Sequence, residues 1–273
     1  MMKKLFLVIP NVEPRLEISC QDEKIMEYLY NMFSPYVSHQ CQKGKYESLI
    51  FYKNDYSELM VERNDGKEKL DVDIVTYLET YLLENSCVDK GYLMLHGGGV
   101  AHNNHAFIFL ANSMVGKSTL ITHLCMEGFE YITDDRLIID TTEKTVLPFT
   151  KTIMLRPDGK KILLSQYEHS FDTITFKHKK RLREFFLPPL CKEGRTQISC
   201  IFILIRQEGQ KIRREEVVKR TNRVNELLKY SMSIKGCENI GEFVKLSSIR
   251  MEIVYYSDLN EITSFLKEMS NFS

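Results

Sequence analysis

The apolar run Ala106-Phe107-Ile108-Phe109-Leu110 passes without a break into Ala111-Asn112-Ser113-Met114-Val115-Gly116-Lys117-Ser118, and Ser118 to Glu127 then has helical character up to Gly128. A buried strand, a short loop and a helix in immediate succession restrict the chain to an α/β architecture, with the helix N-terminus standing at the end of a sheet. Gly128 suits the residue just past the helix, where positive φ is common.

The loop has the chemistry of a phosphate cradle. Such a cradle needs successive backbone N–H groups, a helix N-terminus behind them, a lysine for the outer phosphates and a hydroxyl for Mg²⁺. Asn112, Ser113, Met114, Val115, Gly116, Lys117, Ser118 and Thr119 are the candidate nucleotide-binding residues, with a nucleoside triphosphate and Mg²⁺ as the expected ligands, since the loop reads phosphates and not the base. The pattern Gly-x-x-x-x-Gly-Lys-Ser/Thr has glycine where this chain has Ala111, a replacement that costs energy only if that position has positive φ.

Two further groups flank the loop. Downstream, Thr133-Asp134-Asp135-Arg136 lies in a strand-like stretch from Glu130 to Asp140. Phosphoryl transfer needs a carboxylate near the metal and can use another to take the acceptor's proton. Adjacent strand residues point to opposite faces, so a turn is required to bring both aspartates into one site. Ser118 and Asp135 are the expected metal ligands, and Asp140 is a rival carboxylate. Upstream, His96-Gly97-Gly98-Gly99 reads as a flexible crossing between a strand at Tyr92–Leu95 and one resuming at Val100. An oxyanion loop of a hydrolase is the competing reading, but it requires a Gly-x-Ser-x-Gly elbow, and the sequence has none.

The remaining pattern divides the chain into a small N-terminal α+β domain at 1–88 and a catalytic domain at 89–273. The first has strands around Leu5–Ile9, Ser48–Tyr52 and Glu58–Val61, a turn at Asp65-Gly66 and a helix over Glu23–Phe33. An amphipathic helix at Asp71–Glu84 links the two parts. In the second, Asn103-Asn104 suits a tight hairpin, Val146–Leu155 reads as a strand, and Pro157-Asp158-Gly159 as a turn. Ser199–Ile205 is a central strand covered on both faces, and Val218–Ser231 and Asp258–Met269 are helical.

Basic and acidic residues number 37 each, so no global field draws the chain to nucleic acid or an anionic membrane. The N-terminal Met1-Met2-Lys3-Lys4 and its apolar run imitate a secretory signal, but Pro10 ends the run too early. No stretch approaches the roughly 20 apolar residues of a membrane span. The 7 cysteines are odd in number and never form a Cys-x-x-Cys pair, which fits a reduced, cytoplasmic protein.

Taken together, Leu95-His96-Gly97, the phosphate loop and Thr133-Asp134-Asp135-Arg136 resemble the catalytic domain of HPr kinase/phosphorylase, clearly over about residues 91 to 140. The resemblance implies a phosphoenolpyruvate-carboxykinase-type fold, with a mixed β-sheet and flanking helices. It implies that Lys117 and Ser118 serve ATP and Mg²⁺, that Asp134 and Asp135 handle the metal and the acceptor proton, and that His96 steers the protonation of a carboxylate. Which aspartate is the base stays open. The family's Glu-x-Arg-Gly-x-Gly segment is replaced here by Lys151-Thr152-Ile153-Met154-Leu155-Arg156-Pro157, which removes the expectation of phosphorolysis. Arg156 is the candidate transition-state cation, and the run Lys177-His178-Lys179-Lys180-Arg181-Leu182-Arg183 a basic face. What remains resembles the shorter relatives of that family, some of which phosphorylate a serine on a ribosomally made precursor, as in lasso-peptide tailoring. The expectation is therefore an ATP-dependent serine kinase whose partner is a peptide or protein. A small-metabolite kinase and a nucleotide-sensing module are the alternatives. Relatives that assemble into hexamers or smaller rings make a homo-oligomer an expectation of the same kind.

Overall fold

The computed structural model describes all of the chain except residues 1, 10–11, 42, 56, 88–91, 168–172, 179–180, 210, 233–239 and 272–273. For 86–87, 173–178 and 181–184 only the backbone is described. The chain forms two compact units, Met1–Lys90 and Gly91–Ser273.

In the first unit the elements run β1 (Lys3–Leu7), β2 (Leu16–Cys20), α1 (Glu23–Met32), β3 (Val37–Ser38), β4 (Glu47–Lys53), β5 (Leu59–Arg63), β6 (Gly66–Lys69) and α2 (Ile74–Cys87). The strands form one sheet in the order β3-β1-β2-β4-β5-β6, with β2 and β4 parallel and the other neighbours antiparallel. Helix α1 starts where Asp22 accepts hydrogen bonds from the N–H groups of Lys24 and Ile25, and it buries Met26, Leu29 and Met32. The segment expected to link the two parts, realised as α2, instead packs on this sheet, with Tyr77 edge-on to Phe51. Its alternation of Leu78, Leu82 and Leu83 with polar residues gives it a face that must be buried locally.

The second unit begins with β7 (Tyr92–Leu95), β8 (Gly97–His102) and β9 (His105–Leu110), followed by α3 (Lys117–Met126), β10 (Glu130–Asp134), β11 (Leu137–Asp140), β12 (Thr145–Leu147) and β13 (Ile153–Leu155). It continues with α4 (Pro157–Leu164), β14 (Thr173–His178), β15 (Arg181–Phe186), β16 (Thr196–Arg206), β17 (Arg213–Glu216), α5 (Arg220–Lys229), α6 (Ile240–Leu246), β18 (Met251–Tyr256) and α7 (Leu259–Asn271). The main sheet runs β10-β8-β9-β16-β12-β11-β7, with β18 and then β17 alongside β16. It is mixed, since β16 is parallel to both β9 and β18 while the other neighbours are antiparallel. The chain is thus an α/β protein: a mixed sheet with flanking helices, preceded by a small β-rich unit with helices of its own.

Two cores explain the continuous apolar runs. Phe107 and Phe109 of β9, with Phe202 and Leu204 of β16, face a core shared with α3 and α7. Their neighbours Ile108, Leu110, Ile201 and Ile203 face a second core shared with α5 and α6. With side chains alternating between two apolar faces, every position must be apolar.

Four local expectations need correction. Gly97-Gly98-Gly99 is not a flexible crossing: it lies inside β8, paired with β9 on one side, and Gly98 and Gly99 pair with β10 on the other. The reason is space, because a Cβ on Gly98 would stand 2.2 Å from Ile121 Cδ1 of α3 and one on Gly97 2.4 Å from Leu137 Cδ1. Glu130–Asp140 is two strands, broken at Asp135. Val146–Leu155 is also two, β12 in the main sheet and β13 in a small one ordered β13-β15-β14. Pro157-Asp158-Gly159 opens α4 rather than turning the chain, because proline is pre-organised for the first helical position. The hairpin at Asn103-Asn104 has positive φ at both residues, 50° and 63°, as a primed turn requires.

Candidate functional site

The loop between β9 and α3 owes its shape to two residues with positive φ, Met114 at 74° and Gly116 at 102°. Ala111 is not among them. It follows the last residue of β9 and is buried, and without positive φ alanine there carries no backbone strain. Gly116 is the N-cap of α3, which leaves the first N–H groups of the helix facing the loop. The Tyr256 hydroxyl, at the end of β18, donates to the Val115 carbonyl at 3.0 Å and ties the loop to the sheet. Asn112, Ser113 and Met114 are exposed and Val115 half-buried, whereas Lys117 turns inward.

Lys117 is buried to 7% exposure and bonds to both aspartates, Asp134 Oδ1 and Asp135 Oδ1, the latter at 2.9 Å. The Ser118 hydroxyl donates to the other oxygen of Asp134 at 2.6 Å. Two devices bring adjacent acidic residues to one amine. A bulge at Ile132 shifts the β10–β8 register so that Asp134 pairs with Gly98. A Cβ on Gly98 would stand 3.2 Å from Asp134 Oδ1, so the glycine leaves room for the carboxylate. Asp135 then takes a left-handed conformation at φ 75°, and the Thr133 hydroxyl, donating to the Arg136 carbonyl at 2.8 Å, closes the turn. This is the turn that the alternation of strand side chains demanded.

The charges within the cluster support one another. Burial alone would discharge Lys117, but Asp134 and Asp135 outweigh it and hold its pKa above the usual lysine value. Burial likewise opposes ionisation of Asp135, yet Lys117 first and then Lys151 keep its pKa well below the ordinary carboxylate range. His96, half-buried after β7, is pushed below the usual histidine value by burial and by the charge of Lys117, with Asp135 and Asp134 pulling the other way. It is therefore neutral at pH 7.

Other expected residues lie differently. The carboxylate bonded to Ser118 is that of Asp134, where the sequence had coupled Ser118 with Asp135. Asp140 is not part of the cluster: its Oδ1 accepts from the N–H groups of Thr142 and Glu143, and its Oδ2 pairs with Arg195 at 3.0 Å. Arg156 is the exposed N-cap of α4. Thr119 meets that helix, since a Cβ on Gly159 would come within 2.4 Å of its hydroxyl. The side chains of the basic run Lys177–Arg183 lie outside the described residues. Lys151, buried at 7% exposure between buried Thr150 and Thr152, was missed. Its only signal was a charge placed between the apolar Phe149 and Ile153.

Ser118 and Asp134 offer hard oxygen ligands, the donor set that suits Mg²⁺ when phosphate oxygens complete the shell. No group of three or more His, Cys, Asp or Glu able to hold a metal by itself occurs among the described residues. No described helix is long and apolar enough to cross a membrane.

No protein-family model matches the chain, and no curated protein sequence does either. Among solved structures, the Hpr(Ser) kinase/phosphatase from Coxiella burnetii is similar over 64% of this chain and 97% of its own, at 8% identity and a TM-score of 0.32. A likeness at that level decides nothing about activity.

Proposed function

We propose that the chain is an ATP-dependent kinase that transfers the γ-phosphoryl group to a serine hydroxyl of a peptide or protein. The observation that carries this reading is the convergence of Lys117, Ser118, Asp134 and Asp135 at the N-terminus of α3. A helix N-terminus with an inward lysine suits a polyphosphate. Paired carboxylates beside it suit proton and metal handling rather than simple binding.

In this reading the loop and Lys117 hold the phosphates, and Ser118 with Asp134 holds Mg²⁺. The metal, when bound, neutralises charge on the phosphate oxygens. Asp135 is the acceptor-side carboxylate: its side chain is 40% exposed against 3% for Asp134, so a hydroxyl carried on a polypeptide can reach it. Neutral His96 leaves the negative charge of the pair intact for that proton. The resemblance to peptide-tailoring kinases favours a ribosomally made precursor as the partner.

Labelled ATP incubated with a panel of serine-containing precursor peptides tests the reading. Label is expected on serine, with at least about a hundredfold loss of rate in Asp135→Asn, in line with the usual contribution of a positioned base. Transfer that survives removal of both aspartates sinks the mechanism. Label on free serine alone transfers the reading to a small-metabolite kinase.

A further inference from the structure

Beside the loop, on the side of Gly116 and Thr119, the second unit holds a cavity of about 350 Å³. That volume lies at the small end of the roughly 300–1,000 Å³ typical of ligand pockets. Its walls come from three separate parts of the chain: Ile162 of α4 with Gln166 two residues beyond that helix, Arg206 from the end of β16, and Tyr256 to Asn260 from the β18–α7 junction.

Three features give the cavity a direction. The first is its position. The cavity is lined by Gly116 and Thr119 of the loop and helix start and by none of His96, Lys117, Asp134 and Asp135, so on the reading above it is open to the part of the nucleotide that lies beyond the transferred phosphate. The second is Arg206. Its Nη1 stands 3.8 Å from where a Cβ on Gly116 would be, and it has no acidic partner among the described residues. An uncompensated guanidinium beside a phosphate loop is suited to a phosphate oxygen. The third is the mixture in the lining. Ile162 and Leu259 offer apolar surface, Gln166 an amide that both donates and accepts, and Asp258 a carboxylate. One Asp258 oxygen takes the N–H of Asn260 at 2.7 Å, and the other makes no hydrogen bond among the described residues. Apolar walls with an amide suit a base, and a carboxylate with a spare oxygen suits the hydroxyls of a ribose.

We propose that this cavity receives the ribose and base of the nucleotide, with Arg206 on the α-phosphate, Asp258 on the ribose hydroxyls and Gln166 on the base edge. The proposal rests on the nucleotide-binding reading above. It also assigns a role to α4: Gly159 lets that helix approach Thr119 closely enough for Ile162 and Gln166 to form a wall.

Calorimetric titration of the full chain with Mg²⁺-ATP and with Mg²⁺-tripolyphosphate separates the two claims, because the second ligand has phosphates and no nucleoside. Wild type is expected to bind ATP at least about tenfold more tightly than tripolyphosphate, the equivalent of one or two good hydrogen bonds. Gln166→Ala and Asp258→Ala should each weaken ATP about three- to tenfold and leave tripolyphosphate unchanged. Gln166→Trp, which fills the cavity, should remove the preference for ATP. Arg206→Gln should weaken both ligands, since each presents a phosphate there. Equal affinity of wild type for the two ligands, or an ATP preference untouched by all three Gln166 and Asp258 variants, overturns the cavity assignment and leaves the loop's role standing. Absence of binding by either ligand, or full binding by Lys117→Ala, overturns the nucleotide reading and the cavity with it. Gln166, Arg206 and Asp258 are exposed, so these variants should fold, and thermal unfolding checks that they do.

Discussion

Lys53 in the first unit and Lys117 in the second each pair with an aspartate, and they differ in how much water reaches the pair. Lys53 meets Asp22 at 2.9 Å with the two side chains 54% and 29% exposed; Lys117 meets Asp134 with the two at 7% and 3%. Water screens the first pair, so it adds little. The second gives up most of its hydration, a cost that attraction between the partners only partly returns. Stability alone does not favour placing a lysine between two carboxylates in a core. The kinase proposed above would use that charge on the phosphates, which gives such a pair a reason to be retained.

Removing Lys117 should break that contrast most severely. Lys117→Met leaves Asp134 buried without its cation, and such a loss usually costs about 3–5 kcal/mol. Urea unfolding at pH 7 should show a drop of that order, accompanied by loss of nucleotide binding. Adding Asp134→Asn should recover part of the stability and none of the binding, which a double-mutant cycle reads directly. A Lys117→Met variant as stable as wild type would erase the difference between the two lysines.

The next effect in size concerns the strand that makes room for the pair. Gly98→Ala places a methyl 2.2 Å from Ile121 Cδ1 and 3.1 Å from the Thr133 carbonyl oxygen. Ile121 is fully buried and has nowhere to move, so overpacking of about 1–3 kcal/mol is expected. Because Asp134 lies on the same side, nucleotide affinity should fall as well. Ile121→Val in the same chain should restore part of the stability by withdrawing the clashing methyl. No change in melting on Gly98→Ala would remove the steric account of the glycine run.

This glycine strand also shows what the sequence made legible. Periodicity found most elements, because amphipathic helices such as α1 and α7 and the two-faced run of β16 carry their burial in their spacing. The loop, Lys117, Ser118 and the two aspartates were legible as residue types at fixed spacings. What stayed hidden was long-range. Three glycines look like a flexible crossing until Ile121 and Leu137 are known to press on them. Lys151 acts on Asp135 from the segment between β12 and β13, and Arg206 approaches Gly116 from the end of β16, and no local pattern announces either. Asp140 looked like Asp134 to the eye because both end a strand. Only the Gly98 pairing and the positive φ at Asp135 separate a site from a capped turn.

A smaller effect sharpens the electrostatic picture of the buried cluster. The folded-state pKa of His96 is below its ordinary value of 6.5, so between the two values the unfolded chain binds more protons than the native one. Stability contributed by neutral His96 is complete above about pH 6.5 and is lost as pH falls toward the folded pKa. His96→Asn should therefore flatten the stability profile just below pH 6.5 and leave it unchanged at pH 8. Unfolding curves across that range check the sign. A steeper profile in the variant would mean that the carboxylates, not Lys117 and burial, control the histidine.

The smallest effect is expected at Lys53, where two roles of Asp22 can be separated. Lys53→Met removes a pair in which the lysine is more than half exposed, so screening should hold the loss below about 1 kcal/mol and make it vanish in high salt. Asp22 does more than pair: its Oδ1 accepts from the Lys24 N–H at 3.0 Å and the Ile25 N–H at 3.4 Å, capping α1. Asp22→Ala should therefore cost about 1 kcal/mol, most of it insensitive to salt, because a cap satisfies backbone donors that otherwise need water. Chemical denaturation of both variants in urea at low and high salt separates the two contributions. If Lys53→Met proved the more costly and its cost survived salt, the exposed pair would behave like the buried one, and exposure would no longer explain why the two lysines differ.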